Sequence, residues 1–378
     1  MHLSDLHIGI RLNDFSLIDD QRYIFEQIIN IARNEQIDTV LIAGDVYDKS
    51  APSEESFALY DWLLTRFHEL GVNVAVISGN HDSSYRVSFA SSMLSDSKIY
   101  VSNTYDGTVR SFSVNDEYGV VNVYLLPFVK PVNVRAFFPD DEINSYTDAI
   151  KTAISNIGID YSERNIILSH QYVTGSVRCD SEQINVGGLD NVDGEVFDGF
   201  DYVALGHLHT HQRVNGKDSI RYCGTPLKYS VSEANNQKIV IIGELCEKGS
   251  LKLSYIDLKP LHELRVIKGE YDKLTDRSFY TSGEFSHEDY ISFVLTDEED
   301  VPDAAALLRS IYPRILSVKY DNTRTRSEVG VIASDSTKKK LPIEYFCELF
   351  EAQNGKPMTE EQINYSNELI SKLWGEDV

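Results

Sequence analysis

The 378-residue sequence is poor in positive charge, in cysteine and in long apolar runs. Lys and Arg number 35 against 59 Asp and Glu, a formal net charge of −24. A balance this acidic does not nominate a nucleic-acid binder. It describes a surface that repels phosphate unless its carboxylates carry cations. The four cysteines, Cys179, Cys223, Cys246 and Cys347, form no C-x-x-C pair, which argues against a zinc knuckle or a disulfide framework. They read as buried free thiols of a reducing cytosol, so a cytoplasmic chain is expected. The longest charge-free apolar stretch, Tyr118–Val129, is interrupted by Asn122. It is too short for the roughly 20 residues of a spanning helix, and no membrane association is expected. Met1-His2-Leu3-Ser4-Asp5 has no basic region followed by an apolar run, so no signal peptide is expected either. No G-x-x-x-x-G-K-[ST] motif occurs, so any ATP dependence must come from a partner.

What is present is ordinary globular composition, with 42% hydrophobic, 25% charged and 11% aromatic residues. The length predicts two to three domains, at about 100–200 residues each. Asp19–Gln36 sets Ile24, Ile28, Ile31 and Ala32 on one helical face, with Phe25 and Ile29 beside them. A buried strand, Thr39–Asp45, follows, then a helix over Glu54–Leu70 and a second buried strand over Val72–Ser78. This rhythm predicts βαβ units and a largely parallel sheet. Further strands are expected at Val120–Leu126, Asn165–Ser169, Asp201–Leu205, Lys238–Gly243 and Leu251–Asp257, with an antiparallel portion from Gln212 onward. Pro260 marks a boundary, and His262–Asp321 reads as strand, helix, strand over Tyr290–Leu295, Val301–Ser310 and Ile315–Tyr320. Asn322–Lys340 has no periodicity and reads as a linker ending in Lys338-Lys339-Lys340. Two helices close the chain. The first opens at Pro342 and has an apolar face of Ile343, Phe346, Leu349 and Phe350. The second has a capping box, Thr359-x-x-Gln362, a staple of Met358 with Ile363, and a face of Ile363, Ile370 and Leu373 ending at Trp374. This pair either packs on its own chain or docks a partner helix.

Five short segments at strand ends carry the chemistry: Asp5-x-His7, Gly44-Asp45-x-x-Asp48, Gly79-Asn80-His81-Asp82, His170, and Gly206-His207-x-His209. Residues just past the carboxyl ends of strands gather in one crevice of an α/β fold. Taken singly, each segment is more often a turn, a loop or a satisfied polar residue. Gly206-His207-x-His209 is stronger, since alternate residues past a strand face one side. All five together exceed coincidence. A set of imidazoles, carboxylates and an amide oxygen without thiolate suits Mn²⁺, Fe²⁺ or Zn²⁺. Seven donors exceed one ion and suit two that share a carboxylate.

The order D-x-H, G-D-x-x-D, G-N-H-D, H, G-H-x-H resembles the calcineurin-like metallophosphoesterase superfamily. The longer stretches Ser4–Gly9, Ala43–Asp48 with Ala51-Pro52-Ser53, Ser78–Ser83, Ser169-His170-Gln171, Tyr202–His209 and Tyr222–Ser230 are similar to the SbcD family. Members of that family are nuclease subunits of the bacterial SbcCD DNA-repair complex. The resemblance spans nearly the whole chain. It implies an α/β fold: a metallophosphoesterase β-sandwich flanked by helices (αββα), with a small α+β capping domain and a C-terminal helical pair. The implied division is a nuclease domain over 1–259, a capping domain over 260–321, a linker over 322–341 and a partner-docking helix-loop-helix over 342–378.

By the same resemblance, Asp5, His7, Asp45 and His209 hold one metal, and Asp45, Asn80, His170 and His207 the other. The expected pair is Mn²⁺. His81 is then not a ligand but contacts the scissile phosphate, and imidazole is a competent acid near neutral pH. Asp48 and Asp82 are either supports or turn residues. The family has a full strand before its Ser-Asp-x-His, whereas three residues precede Ser4 here, so a shortened strand is expected under Asp5 and His7.

The implied function is a 3′→5′ double-strand exonuclease and single-strand or hairpin endonuclease. It would serve DNA repair, recombination and replication, as a homodimer within a heterotetramer with an SbcC-type coiled-coil ATPase. The competing reading is a phosphatase or cyclic-nucleotide phosphodiesterase with the same metal site, which has no use for the capping domain and terminal helices. A metal-free scaffold would require lost ligands, and all seven are present. Two divalent ions would bring +4 to a crevice lined by Asp5, Asp45 and Asp48, turning a phosphate-repelling site into a phosphate-binding one.

Overall fold

The computed structural model describes residues 1–176, 190–326, 342–354 and 356–374. Cys179, Lys338-Lys339-Lys340 and most of the expected linker therefore lie outside the described residues. The chain divides into two compact units, Met1–His262 and Glu263–Val378.

The first unit contains two six-stranded sheets. In one, the strands run in the order Leu251–Asp257, Ile239–Leu245, His2–Leu3, Thr39–Ala43, Asn73–Ile77 and Ile99–Val101. The His2, Thr39, Asn73 and Ile99 strands are mutually parallel, and Ile239–Leu245 pairs antiparallel with its neighbours. In the other sheet the order is Gln212–Val214, Lys217–Tyr222, Tyr202–Gly206, Arg164–His170, Gly119–Leu125 and Arg110–Asp116. Its central strands are parallel and its outer pairs antiparallel.

The largely parallel strands expected from the βαβ rhythm are shared between the two sheets. The expected antiparallel portion after Gln212 is divided between them. Alternation of apolar residues identifies a half-buried or buried strand, but it does not say which sheet the strand joins.

Alternation does explain the layers. Leu41, Ala43, Ala75 and Ile77 of one sheet pack against Val123, Leu125, Leu168 and Ala204 of the other. Val40, Ile42, Val74 and Val76 point to the opposite face and are also buried. On that side lie helices Ile18–Asn34, whose buried stripe is Ile24, Phe25, Ile28, Ile29 and Ala32, and Glu54–Glu69, whose N-cap Ser53 accepts from Ser56 N–H. The far face of the second sheet is covered by Tyr146–Ser155 through Ala149, Ile150, Ala153 and Ile154. Each large apolar side chain so buried contributes roughly 1.5–3 kcal/mol by leaving water. The layering is the expected αββα sandwich. The first strand is short, as expected, covering only His2–Leu3.

The second unit has a three-stranded parallel sheet in the order Leu264–Gly269, Tyr290–Leu295 and Ile315–Tyr320, with helix Ala304–Arg309. Leu264–Gly269 adds a strand to the expected strand, helix, strand. It is an edge strand that alternates more and less buried residues, and its Arg265 and Lys268 disguise it as polar connection. Thr323–Arg326 forms a helical turn at the start of the expected linker. Helices Pro342–Asn354 and Glu360–Trp374 follow, the second with the expected reciprocal capping bonds between Thr359 and Gln362. No helix among the described residues is long and apolar enough to cross a membrane. Cys223 and Cys246 are buried free thiols as expected, whereas Cys347 is partly exposed.

Candidate metal centre

Strand register decides which residues meet. Leu3 is level with Ile42, and Ala43 with Ile77, so the chain leaves three adjacent parallel strands at one edge with Asp5, Asp45 and Asn80. In the other sheet Gly206 is level with His170, which puts His170 and His207 at the corresponding edge. The sheets close on each other here: His170 Nδ1 donates to the Ala43 carbonyl at 2.8 Å. A Cβ on Gly206 would lie 1.8 Å from that same carbonyl oxygen, and one on Gly79 would lie 2.1 Å from Asp45 Oδ1. Both glycines are there because nothing larger fits.

The backbone at this edge is forced. Asp5, His7, Asp45 and His207 all have positive φ, at 51°, 42°, 49° and 106°. Side chains with a Cβ rarely adopt that region, and such strain clusters at functional sites. It is held by hydrogen bonds: Asp5 N–H to Gly44 O at 3.0 Å, His7 N–H to Asp45 O at 2.9 Å, and His207 N–H to Asp5 Oδ1 at 2.9 Å.

The structure brings all seven expected metal donors, and His81, to this edge. Asp5, His7 and His209 form one buried group whose donor atoms lie within 4.8 Å of one another, and Asp5, Asp45 and His170 form another. Asp45 Oδ2, of the second group, lies 3.7 Å from His7 Nε2 of the first and 3.3 Å from His170 Nε2 of its own. Asn80 Oδ1 lies 3.1 Å from His170 Nε2 and 3.0 Å from His207 Nδ1. His81 is tied by its N–H to Asp45 Oδ1 at 2.9 Å, and its Nδ1 donates to the Asp48 carbonyl at 3.1 Å. The ring then has Nε2 to offer to a substrate.

Burial raises the Asp5 carboxyl to about 6 and lowers His7 to about 3. Burial also works against charge on Asp45 and His170. The pair nevertheless stays ionised: Asp45 is held well below the usual carboxylate range by His170, and His170 is raised to about 9 by Asp45.

The donor set fits a divalent cation. Asp5 Oδ2, His7 Nδ1 and His7 Nε2 are buried with no hydrogen-bond partner, an expensive condition for polar atoms. His170 gives its Nδ1 proton to a carbonyl, and its Nε2 faces two oxygens, Asp45 Oδ2 and Asn80 Oδ1, where the proton of the ionised pair stands in the place a cation would take.

The supports are less legible in sequence. Asp82 is a clamp between two loops: its carboxylate accepts from Val46, Tyr47 and Gly79 N–H at 2.9–3.0 Å. Asp48 is half-buried, and its side chain groups with His7 and His81. Buried Gln21 donates to the Leu6 and His7 carbonyls and to Tyr229 Oη, and accepts from Gly9 N–H, holding the loop that carries His7. It is a polar residue on the apolar stripe of its helix, which is its signal. Glu233, Thr225 and Lys238 surround His209. Thr225 falls in the Tyr222–Ser230 stretch already noted, but Glu233 and Lys238 lie beyond it, where no motif points to chemistry.

The calcineurin-like phosphoesterase family matches residues 1–211, and the type 5 capsule protein repressor C-terminal domain matches residues 260–354. A curated relative, the SbcD component of the nuclease SbcCD from Staphylococcus epidermidis, is 32% identical over 344 residues, covering 89% of each chain. The chain belongs to the SbcD family. As an SbcD-family member with a phosphoesterase domain, it is a metal-dependent phosphodiester hydrolase. A crystal structure of a dimetal phosphatase from Danio rerio covers 68% of this chain and 98% of its own, at TM-score 0.37 and 11% identity. That likeness is too distant to bear on site or substrate. In the SbcD-family chain the first matched region ends just after His209, the last of the expected donors.

Proposed function

We propose that this chain is the nuclease component of an SbcCD-type complex, a 3′→5′ double-strand exonuclease and single-strand or hairpin endonuclease. It works as a homodimer within a heterotetramer, with an SbcC-type coiled-coil ATPase, in cytoplasmic DNA repair and recombination. The observation that carries this reading is the convergence of seven donors from two sheets on buried, unsatisfied polar atoms. A nuclease relative matched over most of its length supports it.

Asp5, His7, Asp45 and His209 would hold one Mn²⁺, and Asp45, Asn80, His170 and His207 the other. When bound, two such ions supply an acidified water and neutralise charge on a phosphodiester. The chain's own residues do the rest. The Asp45 carboxylate faces His7 and His170 and anchors the His81 backbone through Oδ1. His81, fixed by the Asp48 carbonyl, offers Nε2 to the phosphate and can deliver a proton to the leaving oxygen.

The exposed side chains of Tyr85, Phe89 and Met93, just past His81, support a self-association surface. Exposed Tyr345, Phe346 and Leu349 on the first terminal helix support docking of the ATPase's helices.

End-labelled duplex DNA, bis(p-nitrophenyl) phosphate and p-nitrophenyl phosphate are to be compared with Mn²⁺ present, with and without an SbcC-type partner and ATP. Degradation of the duplex from its 3′ ends, stimulated by partner and ATP, is expected. Rapid monoester hydrolysis with intact DNA under both conditions overturns the nuclease reading in favour of a phosphatase.

A further inference from the structure

We infer that Glu233 is a positioning residue for His209, and that the buried pair Glu233–Lys238 sets the affinity of one of the two metal positions. The inference rests on the dinuclear reading above. Glu233 is fully buried at the end of the short turn Val231–Glu233. Its Oε1 lies 3.4 Å from His209 Nδ1. Its Oε2 accepts from Lys238 Nζ at 2.6 Å and from Thr225 Oγ1 at 3.3 Å. Lys238 Nζ also donates to the His209 carbonyl at 2.9 Å, and Thr225 N–H reaches that carbonyl at 3.2 Å. His209 is therefore held at both ends, its ring by a carboxylate and its main chain by an ammonium and an amide.

The consequence is a chosen tautomer. A carboxylate facing Nδ1 keeps the proton there, which leaves the lone pair on Nε2 as the one His209 can offer in its group with Asp5 and His7. A carboxylate behind a ligating imidazole raises its basicity and fixes its plane, and losing it typically costs 10–100-fold in metal affinity.

The pair has no evident need to be charged for the sake of the fold. Lys238 and Glu233 side chains are 6% and 0% exposed. A buried ion pair can often be replaced by apolar residues without loss of stability. Its charge makes sense through what Glu233 faces.

The test is Mn²⁺ titration of the full chain by calorimetry, with the electron paramagnetic resonance spectrum of bound Mn²⁺ as a second readout. Glu233→Gln alone leaves Lys238 buried without its counter-charge, so the double variant Glu233→Leu/Lys238→Met is measured beside it. The expected result is a folded double variant with a parent-like melt before Mn²⁺ is added. One of its two Mn²⁺ sites should be weakened roughly 10–100-fold, with loss of the signature of a coupled ion pair, as in His209→Ala. A double variant that binds two Mn²⁺ with parental affinity and spectrum overturns the inference while leaving the dinuclear reading intact. A parent that binds no Mn²⁺ overturns both. Lys248→Met, which breaks the separate Lys248–Asp201 pair at 2.8 Å, is the control and should bind as the parent does.

Discussion

The metal edge and the terminal helices treat their side chains in opposite ways. At the edge, charged and polar groups are sealed from water: Asp5, His7, Asp45 and His170 are all buried. On helices Pro342–Asn354 and Glu360–Trp374, apolar groups face out, with Phe346 and Leu349 nearly half exposed and Tyr365 more so. Each inversion carries a free-energy cost, of polar desolvation in one region and of apolar hydration in the other. The edge offsets its cost internally, through backbone bonds and clamps such as Asp82 and Gln21. The first unit is thus finished around its chemistry, whereas the terminal helices leave apolar side chains in water.

The largest effect expected is at Asp45, which touches both donor groups. Asp45→Ala should lower turnover of bis(p-nitrophenyl) phosphate by at least about 10³-fold and reduce bound Mn²⁺, and chelation should do the same reversibly. Retained turnover would mean that the edge is not the active centre. His81→Ala should keep the parental Mn²⁺ stoichiometry yet lose about 10²–10⁴-fold in turnover; near-parental DNA cleavage would remove His81 from the mechanism.

The next effects set like residues against each other. Leu168→Ala, in the seam between the sheets, should cost about 2–5 kcal/mol in urea unfolding. Leu349→Ala, on the exposed face, should stay within about 0.5 kcal/mol. Equal losses would mean that the terminal helix is covered by its own chain. The smallest effect is chemical. Burial pushes the Cys223 thiol up to about 12, so almost no thiolate exists at pH 8 and reactivity should climb only as pH approaches that value. Cys347, partly exposed, should be alkylated ahead of Cys223 at pH 8 when sites are mapped by mass spectrometry.

Much of the metal edge is legible in sequence because its donors cluster in short segments at strand ends, where local sequence reports position directly. Asp5-x-His7 and Gly206-His207-x-His209 need no tertiary information to be noticed. The αββα layering comes from the family resemblance, since the apolar pattern of Val120–Leu126 suits either sheet. Glu233 and Lys238 are invisible for a related reason. Their significance is a contact with His209, 24 and 29 positions away, and a surface Glu or Lys looks the same in sequence. Leu264–Gly269 escapes notice because an edge strand with one exposed face can be as polar as a loop.

The Asp5–His207 bond joins positions 202 apart in the chain, one at the edge of each sheet. A cation held by donors on both sides of that seam is a cross-link between the two halves of the sandwich. Its binding energy then counts toward folding, about 2.7 kcal/mol at a hundredfold excess over Kd. The coupling runs both ways. A packing change deep in the seam, far from any donor, would loosen the cross-link and surface as a defect in metal affinity, so the ion doubles as a gauge of how well the two sheets fit.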